Sequence, residues 1–141
     1  MASHKVVTTW KGGMRMESDN PSGHNLFIEA DPEFGGQGQG LRPKALMLSS
    51  LAGCSGLDVA SLIKKMKLEV DDFSIDVEGE LTDEHPKYYH TVHVEYHFYG
   101  KDLNESKLQK AVDLSVERYC GVMEMFRKFA QMNIKTFFHN S

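Results

Sequence analysis

The chain carries two cysteines, Cys54 and Cys120, and each falls on a helical pattern. A thiolate attacks a peroxide oxygen, and a second thiol can trap the resulting sulfenic acid as a disulfide before it oxidises further. A lone pair of thiols is therefore either a self-resolving peroxide-reducing couple or inert packing, because free cysteine behaves as a small hydrophobe in a core. The reaction also calls for a cation that favours the thiolate and holds the departing oxygen. Arg15, alone between Met14 and Met16 on a short alternating stretch, is the candidate, with Arg42 beside the longest helical run as the alternative. An arginine turned inward from such a strand needs a partner; turned outward it is simply solvated.

Around Cys54 the helical spacing places Ser50 and Asp58 one turn away, Leu51 and Leu57 beside them, and Ser61 two turns on. Gly53 and Gly56 flank the thiol. Each weakens the helix by roughly 1 kcal/mol relative to alanine and allows another backbone or a substrate chain to come close. Cys120 precedes Gly121, where one helical pattern ends and the next begins. Amides at the start of that second helix would favour the thiolate.

The histidines invite a metal reading. His93 and His97 share one strand face with Glu95 between them. At about 3.3–3.4 Å per residue they lie about 13 Å apart, too far to share an ion. Asp72, Asp76, Glu78 and Glu80 on the preceding strand offer cross-strand partners instead. Two cysteines without a CxxC do not make a zinc knuckle, and no Lys-Ser/Thr follows the glycines of residues 31–40 to make a phosphate loop. No metal and no resident cofactor is expected.

The elements that must position these groups can be read in order. Lys5–Trp10, Met14–Glu17 and Asn25–Ala30 read as strands of a small antiparallel meander, broken at Gly12-Gly13 and at Asn20-Pro21. Residues 31–40 hold four glycines and a proline and read as a flexible loop, either a connector or a flap beside a pocket. Pro43 opens a long helix to Met66 whose apolar residues nearly encircle it. Such a helix needs cover from a sheet and from something else, and a second copy of the chain is the economical candidate. Glu69–Leu81 and Tyr88–Tyr99 alternate as a long hairpin with Val92, Val94, Tyr96 and Phe98 on its dry face. Asn104 caps a helix through Tyr119, a short amphipathic helix follows Gly121, and Ile134–His139 is a last strand.

The 141 residues suit one domain with a sizeable core. Net charge is −4, which argues against a nucleic-acid partner. No run approaches the roughly 20 apolar residues of a membrane span, and the N-terminus has no apolar signal core. A cytoplasmic location is expected.

The stretch RPKALMLSSLAGCSGLDVASLIKKMK resembles the first-cysteine helix of the OsmC/Ohr family, the osmotically inducible and organic hydroperoxide resistance proteins. In that family a Gly-rich loop leads to a helix that opens on proline, with a cysteine eleven residues on, here Pro43 and Cys54. A second cysteine stands at a late helix break, here Cys120 in ERYCGVMEMF, and WKGGMR, PSGH and LAGCSGLDV suggest the broad OsmC-like subgroup. The resemblance implies an α+β fold, antiparallel strands wrapped around a long central helix in an intertwined homodimer. It implies thiol-dependent reduction of a small organic hydroperoxide, with Cys54 attacking, Cys120 resolving, Arg15 assisting and a dithiol such as dihydrolipoamide as reductant. The family commonly carries a glutamate one or two residues after the proline, paired with the arginine. Here Lys44 and Ala45 hold those positions, and the nearest upstream acids, Glu29, Asp31 and Glu33, are not in register. The alternative, motivated by that absence, is an OsmC-like dimer with weak or no peroxidase activity that binds a small apolar or sulfur-containing ligand.

Overall fold

A computed structural model describes residues 2–141. The chain divides into two compact units, one ending at Met47 and the other spanning Leu48–Ser141.

The first unit is the expected meander. Strands β1 (Thr8–Trp10), β2 (Arg15–Ser18) and β3 (Leu26–Glu29) pair antiparallel in that order. The register sets Arg15 directly opposite Glu29 and Met16 opposite Ile28. Residues 31–40 are not free loop. They hold one 3₁₀ turn, Pro32–Phe34, and Leu41 returns to pair with β3. At Gly36 a Cβ would lie 1.7 Å from the Ala30 carbonyl oxygen, so only glycine admits this fold-back.

The second unit holds most of helix α1 (Pro43–Lys65), the hairpin β4 (Asp72–Leu81) and β5 (Tyr89–Gly100), helix α2 (Glu105–Leu114), helix α3 (Gly121–Arg127) and strand β6 (Gln131–Asn140). Strand β6 joins β5 in parallel, giving the order β4-β5-β6. A parallel neighbour requires a crossover, and α2 and α3 supply it. The alternation of β5 sends Val92, Val94, Tyr96 and Phe98 inward with no exposure. They meet Leu51 and Val59 of α1, Leu108 and Val112 of α2, and Met123 and Phe126 of α3. Phe126 is 2% exposed. Its replacement by alanine is expected to cost about 3–5 kcal/mol, read as a lower urea midpoint at unchanged slope.

Between α2 and α3 the backbone adopts one π-helical turn, Ser115–Tyr119, where a continuous α-helix through Tyr119 was expected. The Cys120 N–H donates to the Ser115 carbonyl at 2.9 Å, closing the wider loop. Such turns concentrate at functional sites because they re-aim the side chains that follow.

Within the chain only Leu51, Ser55 and Val59 of α1 are buried, a single i, i+4, i+8 stripe. Leu57 is 74% exposed, and Met47 is exposed as well. The expectation of burial on most sides is therefore not met by this chain alone. Among the described residues α1 is also long and apolar enough to cross a bilayer by length and composition, an 18-residue window of it having a mean hydropathy of 1.6. This corrects the expectation that no run approaches that size. Its leucines, Val59 and Ile63 carry the hydropathy, while Ser49, Ser50, Ser55, Asp58 and Ser61 keep it from reading as a continuous apolar run.

Candidate thiol-redox site

Helix α1 carries Cys54 and the end of the π turn carries Cys120; Cys54 packs against the core cluster that contains Cys120, and its sulfur acts on the Cys120 proton. Both thiols are free. Their surroundings differ. Cys54 is half-buried, whereas Cys120 is 4% exposed within the hydrophobic core. Cys120 is also the N-cap of α3, its sulfur accepting the Met123 N–H at 3.3 Å.

That cap does what the sequence suggested, but weakly. The Met123 amide favours the Cys120 thiolate, while burial, the hydrogen bond with Cys54 and the Cys54 charge all oppose it. Burial is the largest influence, and the Cys120 thiol is pushed up to about 11. The expected activation of Cys120 is thus reversed: desolvation of a sulfur anion outweighs one amide dipole. The Cys54 sulfur sits where both its charge and its hydrogen bond keep the proton on Cys120.

Beside the thiols lies a set of polar groups that spacing alone did not single out. Ser55 Oγ is 2.6 Å from the Tyr96 hydroxyl and 2.7 Å from Ser115 Oγ, and Ser115 Oγ donates to Asp58 Oδ2 at 2.9 Å. Ser55, Ser115 and Tyr96 have no exposure. Burial pushes the Tyr96 phenol up to about 12, with the hydrogen bond to Ser55 pulling the other way. The available signal was Ser55 standing on the same stripe as Leu51 and Val59, a polar residue where the helix is otherwise apolar.

Arg15 belongs to the first unit. Its guanidinium donates to Gln39 Oε1 and lies 5.2 Å from the centre of the Phe27 ring. The acid it senses is Glu29, its partner across the β2–β3 ladder. The helix start, where Lys44 and Ala45 stand, holds no carboxylate, and the strand ladder sets Glu29 opposite Arg15 instead. Glu29 accepts the Gln37 N–H at 2.7 Å and the Gln39 N–H at 2.6 Å. The backbone hydrogen bond from Gln37 lowers its pKa most, then that from Gln39, with Arg15 assisting. Arg42, the alternative cation, is held in an ion pair with Asp31.

Because the folded Glu29 carboxyl is depressed below its unfolded value, its hold on the 37–39 backbone is complete above the unfolded value. It is lost as pH falls through the folded one. The Gln37 and Gln39 amide resonances are expected to titrate together, with a midpoint below that of an ordinary glutamate. Glu29→Gln should abolish that titration.

The histidines pair with acids as expected. His93 contacts Glu80 at 2.6 Å, and His97 Nε2 lies 3.4 Å from both Asp76 and Glu95. His97 Nδ1 is 2.9 Å from His139 Nε2. Asp76, Glu95 and His97 bring three ligand-type atoms within 4.8 Å of one another on the outer sheet face.

An α+β chain with one thiol on a long helix and a second, more buried thiol at a later helix break defines the class. Comparison with known proteins gives the family. The model of the OsmC-like protein family matches residues 36–135, and the chain belongs to that family. Protein YhfA of Escherichia coli K12 is 30% identical over 121 residues, covering 84% of this chain and 86% of its own. Among solved structures, a hypothetical protein from Aquifex aeolicus superposes with a TM-score of 0.87 at 28% identity, covering 100% of this chain and 99% of that one. The organic hydroperoxide resistance protein OhrB of Bacillus subtilis shares the fold, with a TM-score of 0.66 at 21% identity over 96% of this chain and 98% of that one.

Proposed function

We propose that the chain is a cytosolic, homodimeric thiol peroxidase that reduces small organic hydroperoxides and is itself re-reduced by a dithiol such as dihydrolipoamide. The observation that carries this reading is a pair of free thiols of unequal burial gathered at one core cluster, with the Cys54 sulfur acting on the Cys120 proton. In the first step the Cys54 thiolate attacks the terminal peroxide oxygen. The O–O bond breaks, the leaving alkoxide takes up the proton that Cys54 released on ionising and departs as the alcohol, and Cys54 becomes a sulfenic acid. In the second, Cys120 gives up its proton and attacks the Cys54 sulfur. The S–S bond forms, the S–O bond breaks, and the hydroxyl leaves with that proton as water. The dithiol returns both sulfurs to thiols by two exchange steps and ends as its own disulfide.

Arg15 is the proposed anchor of the Cys54 thiolate and the peroxide. Its in-register partner Glu29 supplies the carboxylate whose absence from the helix start had motivated a non-catalytic ligand-binding dimer. Arg15→Ala is expected to slow sulfenic acid formation by about 10²-fold, the scale of losing one charged stabilising group. Arg15→Lys should recover part of it. Unchanged second-order oxidation of Cys54 in Arg15→Ala would remove Arg15 from the reaction.

The homodimer is supported by Met47 and Leu57, two large apolar side chains that α1 leaves exposed in the single chain. Light scattering behind a sizing column is expected to give twice the 16.0 kDa chain mass for the wild type. Leu57→Lys should give the monomer mass.

A further inference from the structure

The polar file beside the thiols has a direction. An ionised carboxylate only accepts, so the Ser115 hydroxyl commits its one proton to Asp58 Oδ2 at 2.9 Å. Ser115 Oγ then accepts from Ser55 across 2.7 Å, and Ser55 accepts from the Tyr96 hydroxyl across 2.6 Å. No water reaches Ser55, Ser115 or Tyr96. Buried hydroxyls are costly unless bonded, and apolar residues of the same size would fill the space without that demand. A fully satisfied buried network instead specifies one arrangement of the elements it joins.

The elements joined here are those that carry the sulfurs. Ser55 follows Cys54 on α1. Ser115 opens the π turn, and its carbonyl accepts the Cys120 N–H at 2.9 Å. One residue, Ser115, thus holds α1 through its hydroxyl and Cys120 through its carbonyl.

We propose that Ser55, Ser115 and Asp58 are positioning residues for disulfide formation, a clasp that sets the approach of Cys54 and Cys120. Its use in turnover rests on the peroxidase reading. The clasp raises the effective concentration of one thiol at the other, and so acts on the second step, in which Cys120 displaces water from the Cys54 sulfenic acid.

The test uses the full chain with Ser115→Ala. The Cys54–Cys120 disulfide is equilibrated with reduced and oxidised glutathione at a temperature where circular dichroism shows the variant folded. The equilibrium constant for disulfide formation is expected to fall at least fivefold, equivalent to about 20 mV for this two-electron couple. In hydroperoxide-treated samples containing dimedone, the Cys54 sulfenic acid adduct should rise at the expense of the disulfide. A smaller fall in the equilibrium constant overturns the proposal. If Ser115→Ala does not fold, Ser55→Ala and Asp58→Asn carry the same readout and the same threshold. The glutathione equilibrium involves no peroxide. A wild type inert to hydroperoxide with a shifted Ser115→Ala equilibrium would sink the peroxidase reading and leave the clasp standing. A peroxide-active wild type with an unshifted variant would do the reverse.

Discussion

Cys54→Ser is expected to abolish hydroperoxide consumption, whereas Cys120→Ser should consume about two equivalents per chain and then stop. The asymmetry follows from where the sulfurs sit. Cys54 is half-buried on α1, and Cys120 is 4% exposed in the core. A hydroperoxide is therefore expected to reach the first and not the second. Without Cys54 the remaining thiol is both shielded and protonated, and no sulfur is left to form a sulfenic acid. Without Cys120 the sulfenic acid forms but has no internal trap, and excess peroxide carries it to sulfinic acid. Intact mass distinguishes the outcomes: no change for Cys54→Ser, and a gain of one and then two oxygens for Cys120→Ser. Equal activity in both variants would show that neither thiol has the proposed role.

The second large effect concerns the Cys120 proton. With its thiol pushed up to about 11 from the ordinary 9.0, Cys120 at pH 8 carries on the order of 100-fold less thiolate than an unperturbed cysteine. Alkylation by iodoacetamide at pH 8 is therefore expected to label Cys54 and leave Cys120 untouched in the folded protein. The sign of the neighbour effect gives a sharper form of the prediction. Burial is the largest cause of the rise, but the hydrogen bond and the charge of Cys54 add to it. Cys54→Ser removes that charge, so the Cys120 thiol should titrate at lower pH in the variant than in the wild type, followed by thiolate absorbance in the ultraviolet. It should still titrate above the ordinary value, because burial remains. A higher midpoint in Cys54→Ser would contradict the thiol contact. As for stability, a raised thiol is a neutral group in the fold across the physiological range. Its effect appears only at alkaline pH, where the unfolded thiol ionises first and the native state is progressively disfavoured as pH rises through the unfolded value.

Much of this was legible in the residues. The period-two alternation of β5 named the dry face at Val92, Val94, Tyr96 and Phe98, and Pro43 marked the first residue of α1. Cys54 and Cys120 stood out because they were the only thiols. Asn104 caps α2 as its position indicated, accepting the Lys107 N–H. What the residues did not show depends on contacts between segments distant in sequence. The Arg15–Glu29 pairing follows from strand register, which a search beside the helix start could not find. The rise of the Cys120 thiol depends on how deeply the helix break is buried, and helix-dipole reasoning gave the wrong sign because it saw only the local amides. The π turn and the Ser55–Ser115 bond are matters of geometry within a stretch that reads as ordinary amphipathic helix.

The reduced wild type is treated with a single equivalent of cumene hydroperoxide, quenched by alkylation, and examined by intact mass and peptide mapping. The expected result is loss of two hydrogens per chain and one intrachain link, between the peptide containing Cys54 and the peptide containing Cys120. A chain that keeps its full reduced mass and alkylates at Cys54 as before would contradict it.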